Sequence, residues 1–465
     1  MSFLSSIQQL IMKKFFIFIL FFCFVNSVVL AQAFTVSANK RYILKENKPF
    51  VWVGDTAWEL FHALDRDSAT YYLSKRASQG FTVIQAVALA ELDGLNTPNA
   101  YGEKPLVDND PTKPNEAYFR HVDFIVDKAN ELGLNIGLLP TWGDKVFKDR
   151  WGTGPEIFNA ENAKFYGKWI ADRYKNRKNV IWILGGDRNP RAGSQDVTLW
   201  RAMAAGITEA HGGNDKVLIT YHPQPNKEGA SEWFHTEDWF DFNMFQTGHC
   251  RDSDVYNRIQ GSYNRQLIKP VIDGEPIYED HPVCFNANDL GTTNAYDVRK
   301  ALYLDVFAGA FGFTYGCHDV WQMYRQSALP VNGPHFYWKI ALELPAANQV
   351  KYLKRLIESR PILDRVPDQS LILENTNAAY ERIQATRGND YIFVYSAAGK
   401  SFTVNLGKVS GSQLVGYWLS PKNGQVNEIG IVENKGTKQF NPPTSGYGQD
   451  WVLILDDITK KYAKP

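Results

Sequence analysis

Asp187 follows two glycines in Gly185-Gly186-Asp187-Arg188-Asn189, and Glu275 stands in Asp273-Gly274-Glu275-Pro276. Each comes directly after a short apolar run. Two carboxyl groups can divide the work of cleaving an acetal. One protonates the leaving oxygen, and the other attacks the carbon or activates water. Groups about 5–5.5 Å apart retain the configuration of a sugar, whereas about 6.5–9.5 Å leaves room for water and inverts it. The expectation is retention, with Glu275 as nucleophile and Asp187 as acid/base. The purely structural alternatives are an Asp187–Arg188 ion pair and a histidine or arginine partner for Glu275.

Other apolar runs also finish in groups that can bind or react. They end in Gly54-Asp55-Thr56-Ala57-Trp58, Glu91, Thr141-Trp142-Gly143-Asp144, Tyr221-His222-Pro223, Gln246-Thr247-Gly248-His249 and Tyr315-Gly316-Cys317-His318-Asp319-Val320-Trp321. Eight such ends together describe a polar cavity. Asp55, Trp142, Asp144, His222, Gln246, His249 and Trp321 are the candidates for sugar hydroxyl bonds and ring stacking. Trp58, Asn189 and Tyr315 would support them. His62 and His211 are given no role.

The runs that must position these ends span 50–53, 82–89, 135–139, 180–184, 217–220, 242–245, 270–272 and 311–315. Several are apolar at consecutive positions, as parallel strands covered on both faces are. Helical stripes separate them. Phe119, Val122, Ile125, Val126, Ala129 and Leu132 form one, stopped by Gly133, and Phe165, Trp169, Ile170 and Tyr174 another, with Asn159 as N-cap. Further stripes run over 200–207, 255–267, 296–307 and 336–357, and only the link around 233–238 is too short for a full helix. Eight β/α units over residues 34–365 read as a (β/α)8 barrel, in which working residues gather at the C-terminal ends of the strands. Strands four and seven then face each other across the mouth. A doubly wound sheet would advertise a glycine-rich phosphate turn after its first strand. Residues 366–465 change to short alternating segments divided by turns, which reads as a small all-β sandwich packed on the barrel.

Lysine plus arginine and aspartate plus glutamate number 50 each, so nothing suggests a nucleic-acid partner. Lys13 and Lys14, the apolar stretch 15–30 and Ala31-Gln32-Ala33 read as a signal peptide over residues 1–33, an exported chain and no membrane span after cleavage. Cys250, Cys284 and Cys317 remain beyond it, without the spacing of a zinc site. The ends of strands six and seven lie side by side, so a Cys250–Cys284 disulfide is expected, with Cys317 a buried thiol. A metal hydrolase would use His222, His249, His318 and Asp55, but the paired His-x-His and H-E-x-x-H patterns are missing. So is G-x-S-x-G. Neither metal nor cofactor is expected.

Four blocks resemble the apiosidase-like glycoside hydrolases, glycoside hydrolase family 140. They are Gly54-Asp55-Thr56-Ala57-Trp58, Trp182-Ile183-Leu184-Gly185-Gly186-Asp187, Ile272-Asp273-Gly274-Glu275-Pro276 and Gly309-Ala310-Phe311-Gly312-Phe313-Thr314-Tyr315-Gly316. The resemblance extends to the C-terminal domain, which in such proteins often carries a collagen-binding label. It implies a (β/α)8 barrel, the acids Asp187 and Glu275, apiosyl linkages of the pectin rhamnogalacturonan II as substrate, and a periplasmic or cell-surface location. Wider groups of retaining barrels have Asn-Glu after strand four, where this chain has the shorter Asp187. Two other readings are a glycosidase for another furanose or pentose, such as arabinofuranose, and a non-catalytic carbohydrate-binding or adhesion protein.

Overall fold

In the computed structural model, which describes residues 33–374 and 378–464, eight short strands form the barrel. They are β1 (Trp52–Thr56), β2 (Val83–Val87), β3 (Asn135–Leu139), β4 (Val180–Gly185), β5 (Ile219–His222), β6 (Asn243–Phe245), β7 (Val271–Asp273) and β8 (Gly312–Tyr315). A continuous parallel arc runs β8-β1-β2-β3-β4-β5, and β6 and β7 form a second parallel pair. Two looser seams close the ring. At one, Asp241 N–H donates to Ile219 O (3.0 Å) and Thr220 Oγ1 to Phe242 O (2.6 Å); at the other, Phe311 N–H donates to Val271 O (3.1 Å).

Side chains alternate between the two faces of each strand. Trp52, Val83, Val87, Ile181, Ile183, Met244, Ile272 and Phe311 fill the barrel interior, while Val53, Ile84, Ile136, Leu184, Tyr221 and Val271 face the helices. The helices are α1 (Arg66–Gln79), α2 (Glu116–Glu131), α3 (Ala160–Tyr174), α4 (Asp196–His211), α5 (Ser231–Phe234), α6 (Val255–Tyr263), α7 (Ala295–Phe307) and α8 (Pro345–Glu358). Asn159 caps α3 in a reciprocal capping box with Asn162. The short link before β6 makes only the single turn α5. The stripe over 336–357 is interrupted: Trp338–Ala341 is a separate turn, and α8 begins at Pro345, whose missing N–H costs nothing in the first turn of a helix.

Beneath the barrel lies a three-stranded antiparallel sheet, Phe34–Val36, Ile43–Lys45 and Lys48–Phe50. Phe34, Tyr42 and Ile43 pack against Trp52 and the interior cluster, closing the end remote from the polar mouth. Residue 50, expected in the first barrel strand, belongs to this sheet, so β1 begins two residues later and carries Asp55 within it. Ala33 apart, the expected leader lies outside the described residues. Among the described residues no helix is long and apolar enough to cross a membrane.

The C-terminal part is antiparallel. A six-stranded sheet, ordered Val366–Pro367, Ile383–Arg387, Tyr391–Ser396, Trp451–Asp457, Gln413–Leu419 and Val426–Glu433, faces the pair Phe402–Asn405 and Thr437–Phe440. Val426–Glu433 leaves Ile429 and Ile431 exposed and buries only Val432, and Thr437–Phe440 buries only Phe440, so neither shows the alternation that reveals a strand. The other face of the larger sheet docks on α7. Tyr303 stacks on Tyr395 (4.9 Å between ring centroids) and Phe307 on Phe393 (6.2 Å). Two buried bidentate pairs tie the domains: Arg299–Asp450 (3.1 and 2.7 Å) and Arg360–Asp456 (2.9 and 2.6 Å).

Removing one partner of a buried ion pair strands the other charge in a poor solvent, which costs about 3–5 kcal/mol. Arg299→Ala and Asp450→Ala should each lose about that much in urea unfolding. The double replacement Arg299→Met with Asp450→Leu should lose less than either. Equal losses for the double and single variants would show that the pair contributes a net attraction of its own.

Candidate active site

The turn after β4 is built by its two glycines. Gly185 and Gly186 both have positive φ (86° and 99°), and Asp187 follows in the left-handed region at φ 54°. A Cβ on Gly185 would collide with the His222 carbonyl, and one on Gly186 would lie 2.9 Å from both Gly143 N and the Trp142 ring. The chain therefore threads between the ends of β3 and β5, where Gly186 N–H donates to His222 O and Gly186 O accepts from Gly143 N–H (3.0 Å each). Aspartate tolerates this backbone better than most side chains, so the strain is modest.

Glu275 is held from behind by the loop after β7. Its N–H donates to Asp273 Oδ1 (3.2 Å), and the same carboxylate accepts Thr247 N–H (3.3 Å) and the Thr247 hydroxyl. Gln85, from β2, crosses to donate to Gly274 O (2.8 Å). Asp273 faces outward beside Asp305 of α7; burial lifts Asp273 to about 6, and burial with the Asp273 charge lifts Asp305 far above the usual range.

Two histidines meet the Glu275 carboxylate. His249 Nε2 lies 3.2 Å from Oε1, and His222 Nε2 lies 3.2 Å from Oε2, off the line of a good hydrogen bond. His222 Nδ1 accepts the Asp187 N–H (3.3 Å), which leaves the His222 proton on Nε2, toward Glu275. One imidazole thus touches both acids. Burial raises the Glu275 carboxyl, but the two imidazoles beside it outweigh burial and hold the group down at about 2. Asp187 goes the other way: burial and then the Glu275 charge push it up to about 7, against the attraction of Arg188 and His222. Environments that drive two carboxyl groups apart in this way sort a proton donor from an ionised base or nucleophile. Asp187 keeps 14% of its side chain exposed and Glu275 8%, so the donor is nearer the opening.

The predicted sugar-binding set divides. Asp55 shares the helix-facing side of β1 with Val53; it is fully buried and takes the Arg76 guanidinium of α1 (2.6 Å) and the Tyr72 hydroxyl. It is a strut between strand and helix, not a sugar ligand. Asp144 is likewise buried, beside Lys145 Nζ (2.8 Å), and accepts the N–H groups of Thr153 and Gly154 (3.1 and 2.8 Å), which shapes the loop after β3. Trp142 is almost wholly buried and packs against Trp58 (5.1 Å) and His222 (6.0 Å), so it backs the histidine rather than offering a stacking face. His222 and His249 serve Glu275. Trp321 lies in the same buried aromatic cluster, with Nε1 directed at His318 Nδ1 (3.4 Å). Gln246 is buried, and its Oε1 has no partner among the described residues. The Asp187–Arg188 contact is long (3.7 Å), because the guanidinium is occupied by the carbonyls of Phe147, Asp187 and Lys148 (3.0, 2.7 and 2.6 Å).

Three further residues belong here. Trp151 Nε1 donates to Asp187 Oδ2 (2.7 Å). Tyr278, three positions after Glu275, accepts from Trp58 Nε1 (3.2 Å); burial and then the Glu275 charge raise its hydroxyl. Glu91, a strand-end acid with no role assigned from sequence, is lifted well above the usual range by burial and then by the charge of Asp187. Its nearness to Asp187 is a tertiary fact. The aromatic at 278 in a strand-seven loop was a readable signal. Cys250 and Cys284 are joined (Cα–Cα 4.7 Å), as expected, and Cys284 N–H donates to His249 O (2.9 Å). The bridge fixes the loop that carries His249, whose ring stacks on His281 at 4.1 Å. Cys317 is a buried free thiol. Among the described residues no group of three or more metal-ligating side chains could hold an ion.

Known proteins resemble this chain over most of its length. A family model described as "Apiosidase-like, catalytic domain" covers residues 37–364, and one described as "Putative collagen-binding domain of a collagenase" covers 366–456. A solved structure named a glycoside hydrolase is 35% identical over 93% of this chain and 98% of its own, with a TM-score of 0.84. A glycoside hydrolase family 5 structure from Bacteroides vulgatus is 34% identical over 93% and 95%, with a TM-score of 0.85. No curated protein matches the chain.

The two carboxyl groups set opposite limbs of a pH profile. If Glu275 works ionised and Asp187 protonated, activity falls as pH drops through the low pKa of Glu275 and as it rises through about 7, where Asp187 titrates. His249→Ala should move the acidic limb of kcat/KM up by about 1–2 pH units, because a hydrogen bond to a charged group contributes about 1.5–3 kcal/mol and one unit is about 1.4 kcal/mol. An acidic limb that stays in place would show that His249 does not hold the Glu275 charge.

Proposed function

The chain belongs to the apiosidase-like family and is a glycoside hydrolase, and from that premise we propose that it cleaves apiosyl linkages in rhamnogalacturonan II with retention of configuration. The observation that carries the mechanism is that His222 and His249 bracket the Glu275 carboxylate while His222 also takes the Asp187 N–H, with Glu275 held low and Asp187 pushed up to about 7. In the first step Asp187 passes its proton to the glycosidic oxygen. The bond from that oxygen to the anomeric carbon breaks, and Glu275 bonds to that carbon from the opposite face. In the second step Asp187 takes a proton from water, whose oxygen displaces Glu275. Loss of the proton at the first step raises the negative charge at Asp187 just as Glu275 gives up its own, so the pair's mutual repulsion does not accumulate. The choice of apiose rests on the family description, and that of the pectin on the four sequence blocks. We place the enzyme in the periplasm or at the cell surface, on the basis of the leader-like first 33 residues; a disulfide is at home there.

Incubation with rhamnogalacturonan II, with identification of each newly exposed reducing end, tests the substrate. Apiose is expected there, and its absence would sink the substrate while leaving the mechanism standing. NMR during the first turnovers should show the product anomer with the configuration of the substrate; the opposite anomer would rule out retention. Asp187→Ala should lose about 10²–10⁴-fold on the polysaccharide, but much less on a glycosyl fluoride, whose leaving group needs no proton. Glu275→Ala should lose more, and on both. Near-wild-type activity in either variant would remove that residue from the pair.

A further inference from the structure

Twelve of the thirteen tryptophans are buried or half-buried; Trp151, at 50% exposure, is the exception. Burying a side chain of this size is among the larger gains folding offers, so an exposed indole needs a reason. Trp151 is not loosely held. Its Nε1 is bonded to Asp187 Oδ2 (2.7 Å), and the Arg188 guanidinium, itself fully buried, lies over the ring at 5.3 Å from its centroid. The segment beneath is pinned as well. Gly152 N–H donates to Lys148 O (2.9 Å), Asp144 takes the next two N–H groups, and any Cβ on Gly152 would collide with the Lys148 carbonyl. With one face against a buried cation, the exposure belongs to the opposite face and the outer edge.

We propose that Trp151 is the platform of the leaving-group subsite, stacking the C–H face of a pyranose ring that departs from the cleaved bond. The placement follows from the bond it makes. The acid must lie within hydrogen-bond reach of the glycosidic oxygen, so a ring attached to that acid lies beside the sugar on the far side of the oxygen. The same bond divides the two oxygens of Asp187. Oδ2 accepts from the indole and is the carbonyl oxygen of the protonated acid; Oδ1 carries the proton and passes it to the leaving oxygen as the bond to the anomeric carbon breaks. Trp151 therefore both seats the leaving sugar and orients the proton. The proposal rests on Asp187 as proton donor and is independent of which sugar is released.

Two variants separate the roles, each assayed on an oligosaccharide that the wild type cleaves and on the corresponding glycosyl fluoride, which has no leaving sugar. Trp151→Phe keeps a ring and loses the N–H. It should hold KM for the oligosaccharide near the wild-type value while the basic limb of the pH profile moves upward, because the lost bond favoured the ionised form of Asp187. Trp151→Ala loses both, and should in addition raise KM for the oligosaccharide roughly tenfold further than for the fluoride, the order of one aromatic stacking contact. An equal KM change on both substrates, or none, would overturn the platform. A basic limb that does not move in either variant would overturn the proton-orienting bond. Thermal unfolding of both variants near that of the wild type is the control for folding. If apiose is the wrong sugar, the wild type itself fails on apiosyl substrates, a result that leaves the comparison of variants intact.

Discussion

A buried negative charge at Glu275 is the constraint around which the barrel mouth is arranged. A carboxylate taken out of water is strongly disfavoured unless donors replace the lost solvent. Here the replacements are His222 and His249, one at the end of β5 and one beyond the end of β6. Each must in turn be held. Trp58 and Trp142 press on His222, while His281, Tyr278 and the Cys250–Cys284 bridge fix His249. Much of the aromatic content of the mouth serves to aim two imidazoles at one carboxylate.

Asp187 is the consequence of that arrangement. Burial and then the charge at Glu275 push the second carboxyl up to about 7, in the direction a general acid needs. The histidine that steadies Glu275 also accepts the Asp187 N–H, which sets the two acids in one frame. The short side chain has a local cause. Gly185 and Gly186 enter a gap too narrow for a Cβ, and the residue that follows is left-handed, a conformation aspartate adopts more readily than glutamate. Backbone geometry, as much as reach, accounts for an aspartate here.

The C-terminal domain packs on the barrel. Many of its contacts run along α7, whose Asp305 stands behind Asp273, and Asp273 holds the Glu275 backbone. The buried Arg299–Asp450 pair and the Tyr303–Tyr395 stack join the two domains in this region.

The eight-strand rhythm, the change of texture toward an antiparallel domain and the disulfide were legible in the sequence, because each leaves a local mark: an apolar run, a turn, a cysteine at a strand end. What each polar residue does was not. Asp55 read as a ligand because the first strand was begun at residue 50; a shift of two residues put it inside β1, on the face toward the helix, where Arg76 claims it. Asp144 and Trp142 were assigned to the substrate from their place at a strand end, yet they hold a loop and a histidine. Trp151 and Glu91 came to Asp187 from loops with no sequence relation to it. The sequence by itself determined roughly where the strands run and which polar residues stand near their ends, since period and strand length are local properties. Only the tertiary structure decided which of them meet, because the protonation of one carboxyl depends on charges and donors brought in from several other strands.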